Sequence, residues 1–160
     1  MTRSQSRDDG ILPDGADARL EAFREESDAF VRALVGLPTS AWDRRTRCDP
    51  WQVRDVVGHV ITVLARVPDM VLSEFLTTRI VESAVHGLDV ADAAGREPWL
   101  TTAAAEHLQQ LLFGPDWHTS VAALGWDPVT VLRKTTGRGS VTAQEDAELK
   151  RLGLRSLTLG

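Results

Sequence analysis

The chain has 160 residues, of which 42% are hydrophobic and 26% charged, and a net charge of −5. That size and composition fit one globular domain with a core of its own, and the acidic balance gives no electrostatic support for a nucleic-acid partner. A single cysteine, Cys48, excludes an internal disulfide framework, and no apolar run is long enough to span a membrane.

In chain order, residues 1–15 carry no periodic apolar signal and are expected to be a disordered tail. Their start, MTRSQSRDDG, lacks the apolar middle of a signal peptide, so the sequence reads as cytoplasmic. From Ala16 to Val35 the residues Leu20, Phe23, Phe30, Val31 and Leu34 recur at helical spacing, and Gly36 with Pro38 ends the element. A connector, LPTSAWDRRTRC, follows, with room for one turn of helix near Ser40 to Asp43. Asp49-Pro50-Trp51-Gln52 then reads as a helix start: Asp49 as N-cap, Pro50 at the first helical position, Gln52 as the capping-box partner. This helix is predicted to run to about Arg66 and to bury Val53, Val56, Val57, Val60 and Leu64. Pro68 ends or kinks it. His59 lies at the edge of its apolar side.

A third helix begins between Asp69 and Glu74. It carries the stretch around which the chain is organised, RIVESAVHGLDVADAAG from Arg79 to Gly95. Helical spacing puts Arg79, Glu82, His86 and Asp89 in one line. Beside it runs an apolar line of Val81, Ala84, Val85, Leu88 and Ala91, and Gly95 is the expected C-cap. Ligand-type residues next to a core-facing stripe point to a site inside a bundle. A fourth helix is capped by Thr101 or Thr102 and ends at Phe113; its His107 has no evident ligand partner. Trp117 and His118 open a short turn or helix that closes at Gly125. Asp127-Pro128 starts another, to about Thr135, and Thr142 to Glu145 is a capping box for a last helix that stops at Gly153. The tail, LRSLTLG, is apolar enough to dock on the body. With no strand alternation, repeat or linker, residues 16–160 read as one all-α domain.

His59, Glu82 and His86 offer two imidazoles and a carboxylate, a set that suits zinc and also iron, nickel or manganese. Three protein ligands leave a fourth position open, the arrangement of a catalytic rather than a structural site. Cys48 is not needed as a ligand. Asp55, one turn before His59, and Asp89 are the nearest candidates for a general base.

The segments TRCDPWQVRDVVGHV, RIVESAVHGLDVADAAG and TGRGSVTAQEDAELKRLGL resemble motifs of the mycothiol-dependent maleylpyruvate isomerase family, in the DinB-like metal-binding superfamily. The resemblance implies a DinB-like helical bundle with additional short C-terminal helices. It implies a divalent metal, usually zinc, held by His59, Glu82 and His86. In related enzymes the open position takes the sulfur of a small thiol, mycothiol or bacillithiol, so the implied activity is that of a thiol transferase or isomerase acting on a small electrophile. Asp89 and Arg79, on the ligand face, are the candidate catalytic residues, to orient a ligand or meet an anionic substrate. Two alternatives stay open: a non-catalytic DinB-like bundle that binds metal or ligand, and a metal-dependent hydrolase or natural-product tailoring enzyme on the same scaffold.

The sequence departs from the family pattern twice. Asp49-Pro50 stands where Pro-Gly is usual before Trp51, and only 22 residues separate His59 from Glu82. A tight turn at Pro68 would offset the two ligands by roughly 7 Å along the bundle, whereas a looser turn running to about Ser73 would align them. The shortened segment also removes the usual wall of the pocket. That predicts either an unusually open cleft or a second copy of the chain filling the gap, and hence a homodimer.

Overall fold

The computed structural model describes residues 16–65 and 72–154, with side chains from 17–63 and 74–154. Among the described residues seven α-helices follow one another: α1 (Ala16–Leu34), α2 (Val53–Ala65), α3 (Leu72–Ala94), α4 (Thr102–Phe113), α5 (Trp117–Leu124), α6 (Pro128–Thr135) and α7 (Ala143–Arg151), with one 3₁₀ turn at Thr39–Ala41. No strand occurs among the described residues, so the all-α expectation holds. The expectations for the N-terminal tail, for the turn at Pro68 and for the last six residues lie outside the described residues. No described helix is long and apolar enough to cross a membrane.

α3 is the axis of the bundle. Ile80, Ala84, Leu88 and Ala91 are fully buried, and Val81, Val85 and Val90 nearly so. A helix apolar on most of its circumference must be enclosed, and α3 packs against α1, α2 and α4. Its predicted stripe is buried in full. One core cluster joins Ala22 of α1, the stripe of α3, Leu108 of α4 and Leu132 of α6. A second joins Phe30 to Val53, Val56, Val57 and Val60 of α2. A third, of Leu112, Phe113, Val131 and Leu149, holds the C-terminal helices to α4, with Leu154 packed against it.

Three predicted helix starts are found as read. Thr101 accepts from the Ala104 amide, Asp127 caps α6 with Pro128 behind it, and Thr142 and Glu145 form a reciprocal capping box. The start of α2 is a correction. It begins at Val53, the Asp49–Pro50 peptide is cis, and Asp49 caps nothing. The first amides of α2, those of Val53 and Arg54, donate instead to the carbonyls of Arg44 and Trp42 at 3.0 and 3.1 Å. Asp55, not Gln52, reaches back, its carboxylate accepting the Gln52 amide at 2.9 Å. A folded-back loop can satisfy orphan amides as well as a cap residue does, and such a donor–acceptor pair leaves no local trace in sequence.

α1 also differs from its reading. Val31 is 59% exposed, and the buried line is Ala22, Glu26 and Phe30. A glutamate stands where the hydropathy pattern looks for an apolar residue. Its Oε2 accepts from both the amide and the hydroxyl of Thr101, at 3.0 and 2.9 Å, which ties α1 to the cap of α4.

Candidate metal centre

Between Trp42 and Val53 the chain forms a narrow loop closed by an Arg45–Gln52 bridge. Thr46 takes part twice at its neck, its amide and hydroxyl both donating to the Trp51 carbonyl at 2.9 Å. The loop carries Cys48 and Trp51 to the rim of a cavity of about 920 Å³, whose floor is His59 of α2 with Glu82 and His86 of α3. The far wall is Gly137 and Arg138, just beyond α6.

The three predicted ligands converge within one chain. The Nε2 atoms of His59 and His86 each lie 3.3 Å from the same Glu82 oxygen, Oε2. The imidazole rings meet edge to face with centroids 5.3 Å apart, and the Trp51 ring lies 4.9 Å from His59. Glu82 Oε2 is buried and has no hydrogen-bond partner; the two imidazoles approach it only as ion-pair neighbours. A buried carboxylate oxygen flanked by two ring nitrogens and bonded to neither fits a cation better than any protein donor nearby. Two nitrogens and one oxygen, opening on a polar cavity, is also the donor set of a catalytic zinc site. The contact with His86 holds the Glu82 carboxyl below its ordinary value against the opposing effect of burial, and His59 adds in the same direction.

The other nitrogen of His86 is held as firmly. Nδ1 lies 3.1 Å from Asp89 Oδ2. A carboxylate can only accept, so Nδ1 carries a proton, and loss of the other ring proton would leave the lone pair on Nε2, facing Glu82. Burial opposes charge on His86, but Asp89 and then Glu82 outweigh it and push its pKa up to about 9. Asp89 itself is fully buried. Burial alone would raise its pKa; His86 and Arg138 overcome that and hold it at about 2. Arg138 grips it with two bonds, Nε to Oδ1 at 2.9 Å and Nη2 to Oδ2 at 2.8 Å. The Cys48 thiol donates to Oδ2 as well, at 3.3 Å, and burial with the Asp89 charge raises its pKa. Cys48, His86 and Asp89 thus form a second group of ligand-type atoms. With Asp89 occupied by Arg138 and the thiol kept protonated, that group is a hydrogen-bonded support for His86.

The structure treats the remaining candidates differently. Arg79 turns to the end of α2: its guanidinium donates to the Val63 carbonyl, lies 5.2 Å over the Phe75 ring and does not line the cavity. Asp55 is engaged at the start of α2. His107 Nε2 pairs with the Thr77 hydroxyl at 3.1 Å, away from the site. The residue that sequence reasoning missed is Arg138. The signal was present in the Thr136-Gly137-Arg138 run. Gly137 adopts φ +73°, and the Arg138 amide returns to the Arg133 carbonyl at 2.7 Å. That is the glycine stop of a Schellman-type helix end, which fixes the direction of the residue after it.

An all-helical bundle that brings two imidazoles and a carboxylate from neighbouring helices to one point on a cavity wall has the fold of a DinB-like domain with a candidate metal site. Residues 23–74 match the family model described as the Mycothiol maleylpyruvate isomerase N-terminal domain, and over that segment the chain is similar to this family. The match includes His59 and ends before Glu82 and His86, so these two ligands stand on the motif and the geometry. No curated protein and no solved structure matches the chain.

Proposed function

We propose that this protein holds a divalent metal, zinc first among those its donors suit, through His59, Glu82 and His86, and uses it to join or isomerise a small electrophile with the help of a mycothiol-type thiol. The observation that carries this is the Glu82 oxygen, buried, without a hydrogen bond, and equidistant from two ring nitrogens. The family match supplies the thiol. A metal bound there would lower the pKa of a thiol at its open position and so make a nucleophile available at neutral pH.

The chain's own residues supply the rest. Asp89 keeps the Nδ1 proton on His86 and so leaves Nε2 as the nitrogen that would hold the ion. Trp51 covers one side of His59 and offers a flat apolar surface to whatever enters. Arg47 and Arg138 line the cavity, each paired with a carboxylate of α3, Asp92 and Asp89 respectively. A hydrolase would need a free general base beside the open position. Of the two bases the sequence offers, Asp55 and Asp89, both are committed to other partners, so neither supports hydrolysis. A reducing, cytoplasmic setting is the one in which such a thiol is available.

The test has two stages. Purified protein is expected to carry about one metal per chain by elemental analysis, and Glu82→Ala is expected to carry none while keeping its helical circular dichroism. The loaded wild type is then assayed with mycothiol and model electrophiles. Metal uptake without thiol turnover would overturn the thiol reading and leave a metal-binding bundle. Equal metal in wild type and Glu82→Ala would overturn the site.

A further inference from the structure

We infer that Arg138 is a positioning residue of the metal centre: through Asp89 it fixes the ring of His86, so that the segment after α6 completes a site whose ligands all lie on α2 and α3. The inference rests on the metal reading of His59, Glu82 and His86, and not on the thiol chemistry.

The contacts run in one continuous line. Arg138 holds both oxygens of Asp89, at 2.9 and 2.8 Å. Asp89 Oδ2 lies 3.1 Å from His86 Nδ1, and His86 Nε2 lies 3.3 Å from Glu82 Oε2. Asp89 is fully buried, with Arg138 13% and His86 15% exposed in their side chains, so little water is present to replace any member. A bidentate guanidinium fixes the plane of a carboxylate as well as its charge. The plane of Asp89 in turn sets the angle of the imidazole that would face the ion. Without Arg138, Asp89 would be a buried anion with one weak donor, Cys48, besides His86, and would be free to rotate.

A neighbouring pair provides the control. Asp92, one turn on from Asp89 along α3, is gripped by Arg133 at 2.7 and 2.5 Å. That clasp also ties α6 to α3, but Asp92 touches no ligand residue. Loss of anchorage and loss of ligand orientation can therefore be told apart.

The experiment is a competition titration of Zn²⁺ between a chromophoric chelator and wild type, Arg138→Ala, Arg138→Lys, Arg133→Ala, Asp89→Asn and the Asp89→Asn/Arg138→Ala double variant. The d–d spectrum of the Co²⁺ forms is recorded alongside. Losing a group that orients a metal-binding imidazole weakens metal binding roughly 10- to 100-fold, and that is the loss expected for Arg138→Ala, with an altered Co²⁺ spectrum. Arg138→Lys is expected to recover only part of it, since an ammonium cannot make the fork. Arg133→Ala is expected to lower the melting temperature and leave the zinc affinity within about twofold of wild type. In the Asp89→Asn background, removing Arg138 should cost little more. An Arg138→Ala variant with wild-type affinity and spectrum overturns the proposal, as does one whose affinity falls no further than that of Arg133→Ala. An undiminished effect of Arg138→Ala in the Asp89→Asn background overturns the route through Asp89. A wild type that takes up no metal overturns the metal reading itself, and the proposal falls with it. Failure of thiol turnover alone touches neither.

Discussion

His86 is the side chain on which the site turns, because both of its nitrogens are engaged by carboxylates. In the metal-free chain that pairing keeps it protonated up to a pKa of about 9. A metal must displace this proton from Nε2, so protons and metal compete. Apparent zinc affinity is therefore expected to rise about tenfold per pH unit through the neutral range and to level off above the His86 pKa. The sign for stability is the reverse. The folded pKa lies above the ordinary 6.5, so the ion pairs of His86 contribute fully below that pH and are lost as pH rises toward 9. Melting of the metal-free protein from pH 6.5 to 9 should show a decline that the zinc-loaded protein does not share. The Glu82–His86–Asp89 line was legible in the sequence because spacings of three and four residues fix a face. Glu26 and Arg138 were not, since a buried acid and a distant cation owe their places to partners 75 and 49 residues away.

At the scale of elements, arginines end three of the helices. Arg79 donates to Val63 at the end of α2, Arg44 to Ala93 and Ala94 at the end of α3, and Arg96 to Ala33 and Gly36 at the end of α1. Last-turn carbonyls carry the negative end of the helix dipole and lack helical partners, so a guanidinium there satisfies charge and hydrogen bonding together. This explains why Arg79, aligned with the ligands by spacing alone, serves the scaffold. Starts set by local residues, as in α4, α6 and α7, were readable; the start of α2, set by carbonyls of Trp42 and Arg44, was not. Gly87 shows a similar long-range constraint. A Cβ there would lie 2.9 Å from the Trp99 ring, which is itself packed against Phe30 with centroids 5.9 Å apart. Alanine would gain up to about 1 kcal/mol in helix propensity but overpack a rigid contact at about 1–3 kcal/mol. Gly87→Ala is expected to lower stability in urea denaturation by about 1 kcal/mol, the difference of those two effects.

For the whole molecule, the question left by the short segment between His59 and Glu82 is how the cavity keeps its walls. It does so from within the chain: the 47–51 loop supplies one side and residues 137–138 the other. A second copy is not needed to gather the ligands. The C-terminal helices are correspondingly part of the body, with Leu132 in the core shared by α1, α3 and α4. A chain cut after Gly125 would leave Asp89 without its guanidinium partner, Asp92 with Arg47 alone and the core without Leu132. Breaking one buried pair costs about 3–5 kcal/mol, against a total of about 5–15 for a typical domain. Such a fragment is expected to lose its cooperative thermal transition by calorimetry; retention of a wild-type transition would contradict this account of the packing.

The paired clasps between α3 and the end of α6 have a practical side for anyone wishing to transplant this centre. Grafting α2 and α3 into another bundle would copy every atom of the proposed metal site and still import an anion with nothing to answer it. The smallest portable version must extend as far as Arg138, or replace Asp89 with a neutral acceptor that asks for no cation.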